Sequence, residues 1–415
     1  MMALKIILIR ILKQHSELLT KSKRARKRPF SCLQKTYTLL FFSASDIMEQ
    51  HIITEVKNQL GIITLNRAQA LNSLSLAMVR DITRALLTWH DDTNINAVVM
   101  RSNSEKAFCA GGDIRFFYQK GSANAMQGGA LIEDFFTEEY ALNHLVHHYP
   151  KPYIAFMDGI VMGGGMGIAQ AGPTCRLRIV TERTKMAMPE VAIGLFPDVG
   201  GGYFLSRATG VCGSYLGVTG ETISAAEAIY ADLADVFIPS SALSALLEHC
   251  VQCPASKDIR HHIKEFSATY SHETAGNPAI SRLAQERTAI DQHFSHNAIA
   301  AILDSLKSDS SEFAQKTLAV MQKRSPLMMS VTLEQIRRSQ AMSIEDCLRM
   351  ERNLVRRCFE HGEVIEGVRA LVIDKDHQPK WNPSSVATVR SDMVQHFFEP
   401  AWPEYAHPLN NFYAT

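Results

Sequence analysis

This chain lacks a hydrophobic run long enough to span a bilayer, an excess of either charge, a paired-cysteine framework and a phosphate-binding lysine loop. The apolar run Ile6 to Leu12 is cut by Arg10, whereas a span needs about 20 mainly apolar residues. Lys and Arg number 43 against 42 Asp and Glu, a formal net charge of +1. No overall field therefore draws the protein to nucleic acid or to an anionic membrane surface. The eight cysteines are scattered. Cys250 and Cys253 form one C-x-x-C, but the second pair of a zinc site is missing and no redox context surrounds it. The cysteines thus read as reduced and mostly structural. No G-x-x-x-x-G-K-[ST] sequence occurs, which excludes a P-loop. His147 and His148, just ahead of Pro150, sit in no ligand-like spacing and read as loop residues, so no metal is expected. Internal repeats and low-complexity tracts are absent as well.

What is present is a long chain of ordinary globular composition. Its 415 residues exceed what one hydrophobic core usually organises, and 46% are apolar against 20% charged. Three regions are expected: a basic extension (1–47), an α/β core (48–240) and a mainly helical region (241–415). The extension is rich in Lys and Arg, with KSKRARKRP from Lys21 to Pro29, and Glu17 and Asp46 are its only acids. Such a leader has the composition of a mitochondrial transit peptide; a nucleic-acid patch and an upstream extension before a working start at Met48 compete with it. The last is the reading adopted, because Met48 opens directly onto the first strand. It implies a disordered extension and a cytoplasmic protein, with the mitochondrial matrix as the alternative.

From His51 the pattern is α/β. Ile52 to Val56 and Gly61 to Leu65 predict a hairpin with Asn58-Gln59 in its turn. Ser75 is placed to cap a helix from Leu76 to about Trp89, whose Met78, Ile82, Leu86 and Trp89 recur at helical spacing. Asn96 to Arg101 and Tyr153 to Met157 predict buried strands, and the alternation of strand and helix predicts mainly parallel pairing. Asp113, after Gly111 and Gly112, reads as a helix cap. Glu138 and Glu139 read as surface charges on an amphipathic helix. Beyond Ala225 helices are expected at 225–233, 241–251, 302–306 and 314–321, another from Pro326, and a strongly amphipathic one over 344–359. In the last, Cys347, Met350, Leu354 and Cys358 share the core-facing spacing. The stretch from Ala255 to about Glu286 reads as polar.

Chemical interest concentrates between Lys151 and Tyr203. An apolar run leads into Gly163, Gly164 and Gly165, followed by a small-residue helical stretch, Met166 to Ala171. Glycines let backbone N–H groups approach a ligand, and a helix N-terminus directs its unpaired N–H groups the same way. That suits an anion, or an oxygen becoming one. Downstream, Glu190 closes Met-Pro-Glu, and Asp198 closes Phe-Pro-Asp before a second glycine run, Gly200 to Gly202. Two carboxylates beside two glycine turns suit acyl chemistry better than phosphate binding.

The motifs AFCAGGD, MGGGMG, MPE, FPDVGGGY and EGVRALVIDKDHQPKWNP together resemble the crotonase (enoyl-CoA hydratase/isomerase) superfamily, and within it the 3-hydroxyisobutyryl-CoA hydrolase branch. The similarity runs from about Gln50 to about Phe398. It implies a crotonase-like ββα spiral core closed by the helical C-terminal region, and hydrolysis of a β-hydroxyacyl-CoA thioester. The thioester oxygen would be held by the N–H groups of Gly112 and Gly164, with Glu190 and Asp198 as catalytic carboxylates. Substrate-binding positions of the branch fall on Glu139, Gly164, Glu190 and Asp198, which lifts Glu139 from surface charge to site residue. Hydratases of the superfamily carry two glutamates; here the first of those positions is Gly167. The resemblance implies no metal or cofactor beyond the CoA of the substrate, and leaves a homo-oligomer open. Two rival readings are an enoyl-CoA hydratase or isomerase, and a non-catalytic or RNA-binding scaffold supported only by the basic leader.

Overall fold

Ile52–Lys57 (β1) and Leu60–Leu65 (β2) pair as an antiparallel hairpin, with Asn58 at φ 54° in its turn, a conformation Asn tolerates better than most residues. Leu76–His90 (α1) follows, and the Ser75 hydroxyl accepts from the Met78 N–H at 3.3 Å. Every strand after β2 pairs in parallel: Ala97–Ser102 (β3), Ala107–Cys109 (β4), Tyr153–Met157 (β5), Ile160–Met162 (β6), Arg176–Val180 (β7), Lys185–Ala187 (β8) and Val236–Phe237 (β9). Ala97, Val98, Val99 and Met100 are all buried, as expected for a strand covered on both faces. The computed structural model describes residues 50–123 and 129–413; the basic extension and the expectations attached to it lie outside the described residues.

The strands form two sheets, a six-stranded one ordered β1-β2-β3-β5-β7-β9 and a three-stranded one ordered β4-β6-β8. Three successive strand pairs, β3 with β4, β5 with β6 and β7 with β8, each give one strand to each sheet. The chain therefore advances as a spiral, and each turn brings one loop to the carboxyl end of the small sheet. In parallel sheets that end is where ligands bind.

The helices are Ile114–Ala123 (α2), Ala130–His147 (α3), Gly164–Gly167 (α4), Gly201–Ser206 (α5), Cys212–Thr219 (α6), Ala225–Tyr230 (α7), Leu243–Val251 (α8), Ile259–Ala268 (α9), Arg282–Gln285 (α10), Arg287–Phe294 (α11), Ile299–Lys307 (α12), Glu312–Met321 (α13), Pro326–Ser339 (α14), Ile344–His361 (α15), Glu363–Val368 (α16) and Ser391–Phe398 (α17). Residues 51–409 form one compact unit, and Asn410–Tyr413 belongs to a second. Helix α9 lies inside the stretch read as polar; Asp258 caps it and only Ile259 and Ile263 of its residues are buried, too thin an apolar stripe to register as a period. Of the cysteines in the described residues none is disulfide-bonded, and all but Cys253 are buried. No described helix is long and apolar enough to cross a membrane.

Two details of the expected helices are corrected. The small-residue helix is a single turn, Gly164–Gly167, beginning two residues early because Gly163 turns the chain at φ 49°. On α15 the core register carries Glu351 in place of Met350: Cys347, Glu351, Leu354 and Cys358 are buried, and Met350 is only half-buried.

Candidate active site

Three loops meet at the carboxyl ends of the small sheet. After β4 come Gly111 and Gly112, after β6 Gly163 to Gly165, and after β8 Pro189 and Glu190. Because β6 is the middle strand, the Gly163 turn lies between the other two. A Cβ on Gly164 would stand 3.3 Å from the Gly112 nitrogen and 2.6 Å from Glu139 Oε1. The backbone must be bare there for these groups to meet. Neither the Gly112 nor the Gly164 N–H donates to an acceptor among the described residues. Two free donors on glycines this close form a cradle for one oxygen.

Glu190 opens a 3-10 turn, Glu190–Ala192, whose geometry is pinned by its own carbonyl accepting from the Ile193 and Leu195 N–H groups. Its Oε1 lies 2.6 Å from where a Cβ of Gly163 would be, and its Oε2 has no partner. Glu139 is 2% exposed on α3, with Oε1 likewise unpartnered. Asp198 is buried, and its Oδ2 accepts from the Tyr140 hydroxyl at 2.7 Å. All five site positions named from the sequence (Gly112, Glu139, Gly164, Glu190 and Asp198) converge, and Tyr140 joins them. The sequence pattern hid Tyr140 because α3 is buried on most of its circumference, so its polar residues do not mark an outer face.

Burial pushes every carboxyl group here upward, and their mutual repulsion adds to it. Glu139 rises through burial and then the charges of Asp198 and Glu190. Glu190 rises through burial and Asp198. Asp198 is pushed up to about 6 by burial, held back by the Tyr140 hydrogen bond. Burial and proximity therefore disfavour full ionisation of the cluster.

The second glycine run has a different environment. Val199 has φ 55° and Gly200 φ 88°, and a β-branched residue in that region is strained. The Gly200 and Gly202 N–H groups donate to Glu351 Oε2 and Oε1 at 2.7 and 2.9 Å. Gln335 Nε2, from α14, donates to the Pro197 carbonyl at 2.7 Å and to Glu351 Oε1 at 3.1 Å. Glu351 is fully buried, and burial takes its carboxyl up to about 8 against the pull of those donors. A carboxylate and an amide from the C-terminal helices thus hold the turn that presents Asp198. A second tie is Arg352, buried on α15, which donates to Thr137 Oγ1 at 3.1 Å and pairs with Glu133 on α3. The signal for Glu351 was an acid in the core register of an otherwise apolar stripe.

The remaining polar residues fall outside the cluster. Asp113 accepts from the Phe116 N–H and pairs with Arg67 at 3.0 Å, as a cap. Glu138 pairs with Arg80 at the surface. His147 is helical, a correction: nothing breaks α3 before Pro150. His148 follows as its cap. His148 and His144 lie 2.7 and 3.3 Å from Glu345 Oε1, an approach that hydrogen bonding and ion pairing account for.

The sequence of residues 60–398 matches the family described as enoyl-CoA hydratase/isomerase. A 3-hydroxyisobutyryl-CoA hydrolase, mitochondrial, of Xenopus laevis is 39% identical over 81% of this chain and 86% of its own length. The Homo sapiens protein of the same name is 36% identical over 89% of this chain and 94% of its own. Among solved structures, a carnitinyl-CoA dehydratase from Mycobacterium thermoresistibile superposes with a TM-score of 0.78 at 34% identity, covering 88% of this chain and 100% of that one. An enoyl-CoA hydratase from Rhodobacter sphaeroides gives 0.74 at 32%, covering 85% and 98%. The cytoplasmic location expected from the sequence is overturned by these curated relatives, which are named as mitochondrial. The expectation rested on a start at Met48, and composition alone could not choose between that and a transit peptide. With the two-sheet spiral, the convergent glycine turns and a match across most of its length, this chain belongs to the enoyl-CoA hydratase/isomerase family.

Proposed function

We propose that this protein hydrolyses 3-hydroxyisobutyryl-CoA, or a close β-hydroxyacyl-CoA, to CoA and the free acid, a step of valine catabolism. The observation that carries this reading is an intact two-donor cradle facing a single retained hydratase glutamate. Hydration needs a base for water and an acid for the α-carbon. Gly167 supplies no side chain at the first of the two glutamate positions, and a Cβ there would meet Val199 Cβ at 2.6 Å and Asn143 Nδ2 at 2.7 Å. The acid has neither a residue nor room. The names of the curated relatives support the same choice.

In the proposed reaction the thioester oxygen lies between the Gly112 and Gly164 N–H groups, which stabilise the charge it gains as the carbonyl carbon becomes tetrahedral. Glu190, beside that turn, either attacks the carbon to give a mixed anhydride or takes a proton from the attacking water. On the water route a C–O bond to water forms, the C–S bond breaks and the proton taken by Glu190 passes to the CoA sulfur. On the anhydride route the C–S bond breaks first, the thiolate takes a proton, and a water then cleaves the anhydride to give the free acid and restore Glu190. Both routes need Glu190 ionised at the moment of attack, and a raised pKa makes it a stronger base once it is. Asp198, fixed by Tyr140, and Glu139 bind the polar end of the acyl group and set the charge that Glu190 feels. CoA arrives as part of the substrate, and the chemistry needs no other cofactor. With mitochondrial relatives, the basic, acid-poor sequence before Asp46 supports a transit peptide and a matrix location.

The names of the two solved relatives favour a second reading, hydration or dehydration of an acyl-CoA. Purified protein offered a panel of acyl-CoAs separates the two. Free thiol released from 3-hydroxyisobutyryl-CoA, with no loss of the conjugated absorbance of crotonyl-CoA, is the expected result. The reverse pattern would overturn the hydrolase.

A further inference from the structure

Asn143 lies one helical turn beyond Glu139 on α3, on the same face. It is 4% exposed, and neither its Nδ2 nor its Oδ1 has a hydrogen-bond partner. A buried amide left unpaired carries its full desolvation penalty, so natural proteins rarely keep one that serves only the fold.

Its surroundings say what it faces. The bare backbone from Gly163 to Gly167 is overlaid by three polar tips: Glu190 Oε1 at Gly163, Glu139 Oε1 at Gly164 and Asn143 Nδ2 at Gly167. Each lies 2.6 to 2.7 Å from where the glycine's Cβ would be. Glu139 Oε1 and Glu190 Oε2 also lack partners. Asn143 thus completes a row of unsatisfied groups along the turn. It occupies the room from which a hydratase acid would grow. Beside Gly167, a cavity of about 30 Å³ lined by Asn143, His147, Gln170, Arg176, Val199 and Tyr203 among others, and by none of the three site carboxyl groups, has space for one water-sized group. A primary amide offers donors and an acceptor side by side, whichever way it is turned, so its natural complement is an oxygen that also does both. A hydroxyl qualifies; a carbonyl or a carboxylate uses the donors alone.

We infer that Asn143 is a further binding residue of this site, holding a hydroxyl oxygen supplied by the acyl group's β-hydroxyl or by the hydrolytic water. The inference rests on the hydrolase reading for the identity of that oxygen, and on the geometry alone for its presence. Asn143→Leu keeps the volume and removes both polar atoms, and Asn143→Ala serves as a second variant. Thiol release is measured from 3-hydroxyisobutyryl-CoA and from isobutyryl-CoA, which lacks the hydroxyl, alongside thermal melting.

On the hydroxylated ester the expected loss in kcat/KM is roughly tenfold to a hundredfold, the range for one or two hydrogen bonds to a reacting group. The melting temperature should be unchanged or higher, since an amide without a protein partner does not hold the fold. A loss confined to the hydroxylated ester assigns the oxygen to the substrate. An equal loss on both esters, in kcat with KM unchanged, assigns it to the water. Rates within twofold of wild type on both esters would overturn the inference, and so would a loss that tracks a lower melting temperature in both variants. If wild type releases no thiol from either ester, the hydrolase reading fails separately. Asn143 is then judged by calorimetry: weaker binding of either ester to Asn143→Leu supports it, and equal binding of both refutes it.

Discussion

The two glycine runs look alike in the sequence and do opposite things. At Gly163 to Gly165 the Gly164 N–H is left without a protein acceptor and faces an enclosed polar site. At Gly200 to Gly202 the corresponding groups are already taken, by the two oxygens of Glu351. One turn keeps a backbone donor free and the other gives its donors to a carboxyl group of its own chain. A glycine run therefore marks where backbone donors are exposed, and only the partner that tertiary packing delivers decides whether they are available to a ligand. Here that partner comes from α15, some 150 residues downstream (Gly200 to Glu351 is separated by 151 positions).

The sharpest break falls on the open turn. Glu190→Gln keeps the shape of the side chain over Gly163 and removes its basicity, so thiol release should fall roughly a thousandfold or more while acyl-CoA binding persists. Steady-state rates with calorimetric binding check this, and turnover near the wild-type rate would remove Glu190 from the mechanism.

Alanine placed in each turn sharpens the contrast. In Gly164→Ala the new methyl meets the flexible tip of Glu139 and crowds the Gly112 nitrogen. The expected result is a rate loss on the order of a hundredfold with little change in melting temperature. In Gly202→Ala the methyl meets Ser339 Oγ at 2.4 Å and Gln335 Nε2 at 3.1 Å inside the closed turn. There the expected loss is in stability, about 1–3 kcal/mol for overpacking, readable by denaturant melts. If both variants lost stability and kept their chemistry, the two turns would not differ as described.

Altering the carboxyl group that the closed turn holds is a milder test. Glu351→Gln sets an amide N–H₂ against one of its three donors, so one good hydrogen bond becomes a clash. Asp198 then loses part of its support, and kcat should fall roughly tenfold with KM for the thioester near unchanged. A variant with wild-type kcat would show that the strained Val199 conformation holds without Glu351.

The smallest effect is on pH dependence. Glu351 and Asp198 have folded pKa values of about 8 and about 6, above the ordinary 4.5 and 3.8. The folded state holds protons that the unfolded chain releases, so these groups stabilise the fold fully below about pH 4 and their contribution is lost as pH rises towards 8. Wild type should lose melting temperature between pH 5.5 and pH 8, and Glu351→Gln should lose less over the same interval. Parallel curves would mean that Glu351 is ionised throughout.

Much of this was legible along the chain. The hairpin, the buried strand at Ala97 to Met100, α1 with its Ser75 cap and the long amphipathic α15 all follow from local periodicity and capping, because burial on one face leaves a repeating trace. The glycine donors and Glu190 were legible as motifs, and Asp113 and Glu138 as a cap and a surface pair. What escaped were polar residues inside apolar context. Tyr140, Asn143 and Glu351 drew no reading from the sequence, since a periodicity argument sorts residues into inner and outer faces and has no place for an inner polar one.

By itself the sequence determined which backbone N–H groups are bare, because glycine's missing Cβ is a property of single residues. It also determined that position 167 is a glycine and offers no side chain for proton transfer. Only the tertiary structure decided which of two similar turns stays open, which carboxyl groups are buried together, and that Asn143 is left without a partner. Those outcomes depend on distances between α3, α15 and the ends of the small sheet. A low-dielectric interior turns such distances into large energies, and no local stretch of sequence contains them.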